Sequence, residues 1–189
     1  MPVAAKVKNI VHHCTAGFGN VESIVRFWRD TLGWKNLFGY LTITEVDGTI
    51  WWLNKEGKYV KDESQADFSK ITNGVLNHNS TTMSNGYIGG VENLGTPKEP
   101  MWKAKDTRTI HQISSNHYIV QKQIQWLKDN GKDITKDLGY VGHRDFSPDK
   151  NGNGVIESWE RIKECPSYDV IGSTDHFFYS SADRYKKLP

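Results

Sequence analysis

The sequence predicts a single α/β domain in which helices flank one central mixed β-sheet. Three observations carry this reading. The 189 residues, 37% hydrophobic and 24% charged, suffice for one well-buried core and are too few for two comfortable ones. Segments of strand and helix character follow in the order strand, helix, hairpin, strand, helix. No internal repeat or low-complexity stretch points to a solenoid or a linker array.

The first strand is read from residues 7–16, VKNIVHHCTA, with its β-branched centre. Alternation places Ile10, His12 and Cys14 on one face and Val11, His13 and Thr15 on the other, so only one of the two histidines can face a given site. Asn20 is an expected N-cap, followed by Val21, Ile24, Val25, Trp28 and Leu32 at helical spacing until Gly33. Tyr40 to Leu53 alternates and breaks at Asp47-Gly48, a hairpin signal. Residues 55–82 are polar and weakly periodic, as expected of surface loops beside a cleft. A short strand is expected at Tyr87-Ile88. Asp106 is expected to open a second helix with Ile110, Ile113, His117, Val120, Ile124 and Leu127 on its apolar stripe and Asn130-Gly131 as its stop.

Composition excludes several classes of function. A net charge of +2 with dispersed Lys and Arg gives no nucleic-acid arm. No apolar run approaches the ~20 residues of a membrane span. The start lacks the apolar core of a secretory signal, which predicts synthesis without export by that route. No Gly-rich phosphate loop, Gly-x-Ser-x-Gly elbow or Cys-x-x-Cys pair supports nucleotide, serine-hydrolase or redox chemistry. Two cysteines, Cys14 and Cys165, are too few for a disulfide framework, and strand parity turns Cys14 away from His13.

The informative segments are Gly142-His143-Arg144-Asp145-Phe146-Ser147-Pro148 and Lys163-Glu164-Cys165-Pro166-Ser167-Tyr168-Asp169. With His13-Cys14 on the first strand and Gly39-Tyr40 at the head of the hairpin, the chain from about residue 8 to residue 170 resembles the type 2 zinc N-acetylmuramoyl-L-alanine amidases, which include phage lysozyme-like amidases and peptidoglycan recognition proteins. The resemblance implies a zinc site of His13, His143 and Cys165 with a fourth position open for water, the mark of a catalytic zinc. It also implies that Tyr40 and Lys163 flank the metal and offer hydrogen bonds or positive charge to the oxyanion. Between His12 and His13 geometry is silent, and the family's His-Cys pairing favours His13. His78, His111, His117 and His176 are assigned no ligand role.

One departure from the family stands out. His143 and Cys165 lie much farther apart in sequence than the family's second and third ligands usually do. The extra length contains residues 149–160, DKNGNGVIESWE, which match the calcium-loop template D-x-[DN]-x-[DN]-G-x5-E. Asp149, Asn151 and Asn153 would be ligands, Val155 would give its carbonyl, Glu157 would act directly or through water, and Glu160 would close the site. Pro148 argues against an incoming helix, so the expected role is structural, with a short helix over 157–163 carrying Lys163 and Cys165.

The expected function is hydrolysis of the amide between N-acetylmuramic acid and L-alanine in peptidoglycan by zinc-activated water. The expected organisation is a catalytic domain over 1–170 and an extension over 171–189, in a monomer held in the cytoplasm until lysis, as a phage or prophage endolysin would be. Two alternatives stand beside this: a peptidoglycan-binding module without catalysis, and a zinc peptidase cutting within the stem peptide. In the family the non-cutting relatives generally lack the cysteine ligand, so Cys165 with Tyr40 favours catalysis.

Overall fold

A computed structural model describes residues 3–34, 38–136, 138–171 and 173. The elements are α1 (Val3–Lys6), β1 (Asn9–Cys14), α2 (Val21–Asp30), β2 (Thr42–Thr44), β3 (Ile50–Leu53), β4 (Tyr59–Val60), β5 (Thr82–Tyr87), β6 (Val91–Asn93), β7 (Trp102–Ala104), α3 (Ile110–Asp129) and β8 (Gly139–Gly142). Six strands form a mixed sheet in the order β4-β3-β2-β5-β1-β8, with β1, β2, β5 and β8 parallel to their neighbours and the β2-β3-β4 meander antiparallel. The α/β class and single central mixed sheet expected from the sequence are what the chain forms. The expected extension over 171–189 lies almost wholly outside the described residues.

Strand β1 sits between two parallel partners, and all six of its residues are buried. Its alternation holds. Ile10 and Cys14 join the main core with Met83, Tyr87, Val120 and Leu127 under α3, whereas Val11 packs with Val75 and Val141 on the opposite side. Helix α2 starts where expected: Asn20 Oδ1 accepts from Ser23 N at 2.9 Å, and Val21 and Trp28 pack on Ile43 and Ile88. The hairpin also forms, with Thr42 opposite Trp52 and Gly48 at φ 89° in its turn.

Four expectations are corrected. The strand expected at Tyr87-Ile88 is only the end of β5, a central strand of sequence TMSNGY. Its polar residues hide it from a hydrophobicity reading, but they are satisfied inside: Asn85 exchanges two hydrogen bonds of 2.8 Å with Gln123 and accepts from Thr42 Oγ1 at 3.0 Å. Second, α3 begins at Ile110 and not at Asp106, because Thr109 and Gln112 form a reciprocal capping box. Its buried face is partly polar, with Gln112, Asn116 and Gln123 inward, while Ile110 is exposed. Gln112 Nε2 donates to Ile88 O at 3.0 Å, so the helix is docked by hydrogen bonds as well as by apolar burial. Third, β8, which pairs in parallel with Asn9–His12 of β1, and the separate β6-β7 hairpin are not expected from the sequence. Fourth, a 3-10 turn at Ser158–Glu160 replaces the short helix expected over 157–163.

Candidate metal centre

Parallel pairing sets His12 of β1 beside Gly142 of β8, so His13 and His143 emerge together at the C-terminal ends of adjacent strands. In open α/β sheets this is where ligand sites form. Their rings lie 4.7 Å apart between centroids. The third participant comes from the segment after the 149–160 loop. Arg144 N donates to Cys165 O at 2.7 Å, Tyr87 OH donates to Pro166 O at 2.7 Å, and Ser167 Oγ donates to Gly90 O at 2.6 Å. These bonds hold Cys165 Sγ 3.7 Å from His13 Nδ1.

The donor atoms of His13, His143 and Cys165 all lie within 4.8 Å of one another. Two ligands of a tetrahedral zinc, with Zn–S and Zn–N bonds of about 2.3 and 2.0–2.1 Å, stand roughly 3.6 Å apart. The His13–Cys165 separation matches that spacing. His13 is buried, yet its Nε2 has no partner and its Nδ1 faces only the thiol, an arrangement short of hydrogen bonds for a buried imidazole. The set of two imidazoles and one thiol therefore fits zinc.

Electrostatics at the site suit a cation. Burial, followed by His143, His12 and Lys163, pushes His13 well below the ordinary imidazole range. Burial and then Lys163 lower His143 to about 4. Both rings are neutral at physiological pH and can donate a lone pair. Burial, with the Cys14 thiol beside it, pushes the Cys165 thiol up, so a thiolate there calls for a positive partner.

The ambiguity between the adjacent histidines is resolved by their surroundings. Tyr140 OH lies 2.8 Å from His12 Nε2 and Tyr168 OH lies 2.8 Å from His12 Nδ1, on the core side of β1. Both ring nitrogens of His12 are thus engaged, and the open ring is His13.

Tyr40 lies against His13 at 4.9 Å between ring centroids, and its hydroxyl donates to Cys14 O at 3.3 Å. The seat for its ring is Gly86, which pairs with His13 across the sheet. A Cβ at Gly86 would stand 2.5 Å from Tyr40 Cδ2. Burial pushes the Tyr40 phenol far up, with Cys165 next, so it stays a protonated donor. Lys163 is exposed and lines the same cleft, of about 440 Å³, as His13, Tyr40, His143 and Cys165. Trp28 and Trp34 form a wall of this cleft that the sequence did not assign to it. Trp28 is legible only as part of the apolar stripe of α2, because nothing local says which end of a core residue borders a cavity.

The residues expected to bind calcium are hydrogen-bonded to donors of their own loop. Glu160 is fully buried, but its carboxylate accepts from Lys150 N at 2.6 Å, Asn151 N at 3.1 Å and Glu157 N at 2.9 Å. Asp149 accepts from Gly152 N and Gly154 N, each at 2.7 Å. Asn151 and Asn153 accept from Asn153 N and Val155 N, and Glu157 accepts from Asn151 Nδ2 at 2.8 Å and from Trp159 Nε1 at 3.0 Å. Among the described residues, the group of His, Cys, Asp and Glu donors gathered closely enough for an ion is the His13, His143, Cys165 set.

No family model matches the sequence. An uncharacterized protein of Haemophilus influenzae (strain ATCC 51907 / DSM 11121 / KW20 / Rd) is 62% identical over 100 residues, spanning 51% of this chain and 70% of that protein. Among solved structures, N-acetylmuramoyl-L-alanine amidase LysC from Clostridium intestinale URNW aligns over 88% of this chain and 80% of its own, with a TM-score of 0.51 at 17% identity. Apis mellifera PGRP-SA aligns over 87% and 79%, with a TM-score of 0.49 at 13% identity. The chain therefore belongs to one family with the Haemophilus influenzae protein, and its fold is that of the N-acetylmuramoyl-L-alanine amidase LysC.

Proposed function

We propose that this protein is a zinc-dependent N-acetylmuramoyl-L-alanine amidase, hydrolysing the bond between N-acetylmuramic acid and the first L-alanine of the peptidoglycan stem. The observation that carries the reading is the convergence of His13, His143 and Cys165 at the floor of a cleft that also holds Tyr40 and Lys163. Likeness in fold to an amidase is consistent with it.

In this reading His13 Nδ1, His143 and Cys165 Sγ hold zinc, which when bound polarises the scissile carbonyl and makes a water acidic enough to attack near neutral pH. The chain's own groups do the rest. Tyr40, half-buried and protonated, donates to the developing oxyanion. The Lys163 side chain adds positive charge from the rim and helps protonate the leaving amine. Trp28 and Trp34 supply apolar wall against which the substrate is oriented.

The same reading gives the 149–160 loop a calcium ion, on the strength of its match to the twelve-residue template and the burial of Glu160. Binding requires the carboxylates to exchange backbone N–H partners for the ion. Ile162 N, bonded to Ser147 Oγ at 3.0 Å, ties this loop to the turn after His143, so ordering the loop would order Lys163 and Cys165. Glu160→Gln is expected to lower activity and calcium affinity together while zinc content stays near one; unchanged activity removes the calcium from the reading. The biological setting we infer is that of an endolysin, a monomer acting on the wall after release.

The test is mass spectrometry of purified walls digested with and without zinc chelation. The expected products are an uncapped lactyl carboxylate and a peptide with a new L-alanine amino terminus. New amino termini deeper in the stem would assign a peptidase, and binding without cleavage would assign a recognition module.

A further inference from the structure

Cys14 has no role in the chemistry above, yet it lies in the same cleft as the metal centre. Parity on β1 turns its side chain to the face opposite His13, but Cys165 caps the end of the strand, where both faces can be reached. Cys165 Sγ stands 3.2 Å from Cys14 N and 3.8 Å from Cys14 O. Its sulfur thus sits at the root of the Cys14 side chain. Room for the Cys14 thiol is made by Gly90, where a Cβ would approach Cys14 Sγ to 2.4 Å. Ser167 Oγ, 3.6 Å from Cys14 Sγ, closes the other side. Both cysteines are free.

We infer that Cys14 and Cys165 are a redox pair whose disulfide removes one zinc ligand, so that oxidation and metal loading exclude each other. The inference rests on the zinc reading only for its consequence; the pairing itself stands on the placement of the two thiols. With a low-molecular-weight disulfide as oxidant, one cysteine attacks one sulfur, gives up its proton and expels one small thiol, leaving a mixed disulfide. The other cysteine then attacks the protein sulfur of that mixed disulfide, gives up its proton and expels the second small thiol. Two protein S–H bonds and the oxidant's S–S bond are lost, and one protein S–S bond and two small-thiol S–H bonds form. Two electrons pass to the oxidant. Metal-bound Cys165 is withheld from the exchange, so zinc protects the pair.

The experiment exposes metal-free and zinc-loaded full-length protein to oxidised glutathione, then measures thiols, intact mass, joined peptides and zinc uptake. The metal-free protein is expected to go from two thiols to none, to stay monomeric, to lose the mass of two hydrogens, and to yield Cys14 and Cys165 peptides joined. Its zinc uptake should be abolished and return after reduction. Cys14→Ala should instead stop at the glutathione adduct on Cys165, a readout independent of activity. Retained thiols, a persistent glutathione adduct on the unmodified protein, or cross-linked dimers would each overturn the inference. Thiol loss with no protection by zinc would keep the pair and remove the zinc reading instead.

Discussion

The ring of Tyr40 lies over Gly86, close enough that a methyl group on residue 86 would meet Tyr40 Cδ2 at 2.5 Å and Cε2 at 2.6 Å. Gly86 is also the cross-strand partner of both His13 and Ile43. A missing side chain in the middle of the sheet thus decides where the phenol stands relative to His13. Gly86→Ala should push Tyr40 off its seat and cost about 1–3 kcal/mol in overpacking. Wall-digesting activity should fall at least about tenfold through the lost oxyanion donor, while zinc content stays near one. Activity at the unmodified level in a folded variant would mean that Tyr40 does not act in the reaction.

Zinc affinity should rise with pH, with a slope set by one proton. His143, lowered to about 4, and His13, held well below the ordinary imidazole range by burial, have no proton to lose between pH 6 and 8. Cys165, whose thiol is raised by burial, keeps its proton there and must release it on binding. Affinity in competition titrations should therefore increase by about tenfold per pH unit over this range. A flat profile would mean that the thiol is already ionised. A slope approaching two or three protons near pH 6 would mean that the histidines titrate normally.

These placements separate what the sequence made legible from what it did not. The pattern of alternation in VKNIVHHC correctly put His12 and His13 on opposite faces, and Asn20 and the Asp47-Gly48 turn marked real boundaries. The choice between the two histidines was not local, because it depends on Tyr140 and Tyr168 arriving on the far side of β1 from more than 120 positions away. Strand β5 was illegible for a related reason. Thr82, Ser84 and Asn85 look like loop residues until Thr42 and Gln123 are placed beside Asn85. The motif segments around His143 and Cys165 carried most of the candidate site, but the closeness of Cys14 to Cys165 depends on the bonds that seat the Cys165 segment at the end of β1.

The Asn85–Gln123 pair offers a direct check on that account of β5. Both residues are buried, and each amide donates to the other at 2.8 Å. Gln123→Leu keeps the apolar bulk but leaves the Asn85 amide without its partner inside the sheet. Such a buried polar group costs about 1–3 kcal/mol. Chemical denaturation should show a loss in that range, and Asn85→Ala in the Gln123→Leu background should recover part of it. No loss in the single variant would mean that the pair does not secure α3 to the sheet.

The two adjacent histidines should respond oppositely to replacement by alanine. His12→Ala removes a hydrogen-bond partner of Tyr140 OH and of Tyr168 OH inside the core, at about 0.5–1.5 kcal/mol for each bond lost, together with the ring packing between them. The variant should melt earlier, yet where it remains folded it should still take up zinc near one equivalent. His13→Ala removes a ring whose Nε2 has no hydrogen-bond partner, so its cost to the metal-free fold should be the smaller of the two. Zinc uptake should fall by orders of magnitude, since two protein ligands hold the ion far less well than three. Thermal melting with and without chelator, alongside metal analysis, reads both effects. Zinc lost on replacing His12 and retained on replacing His13 would reverse the assignment and place the metal on the core face of β1.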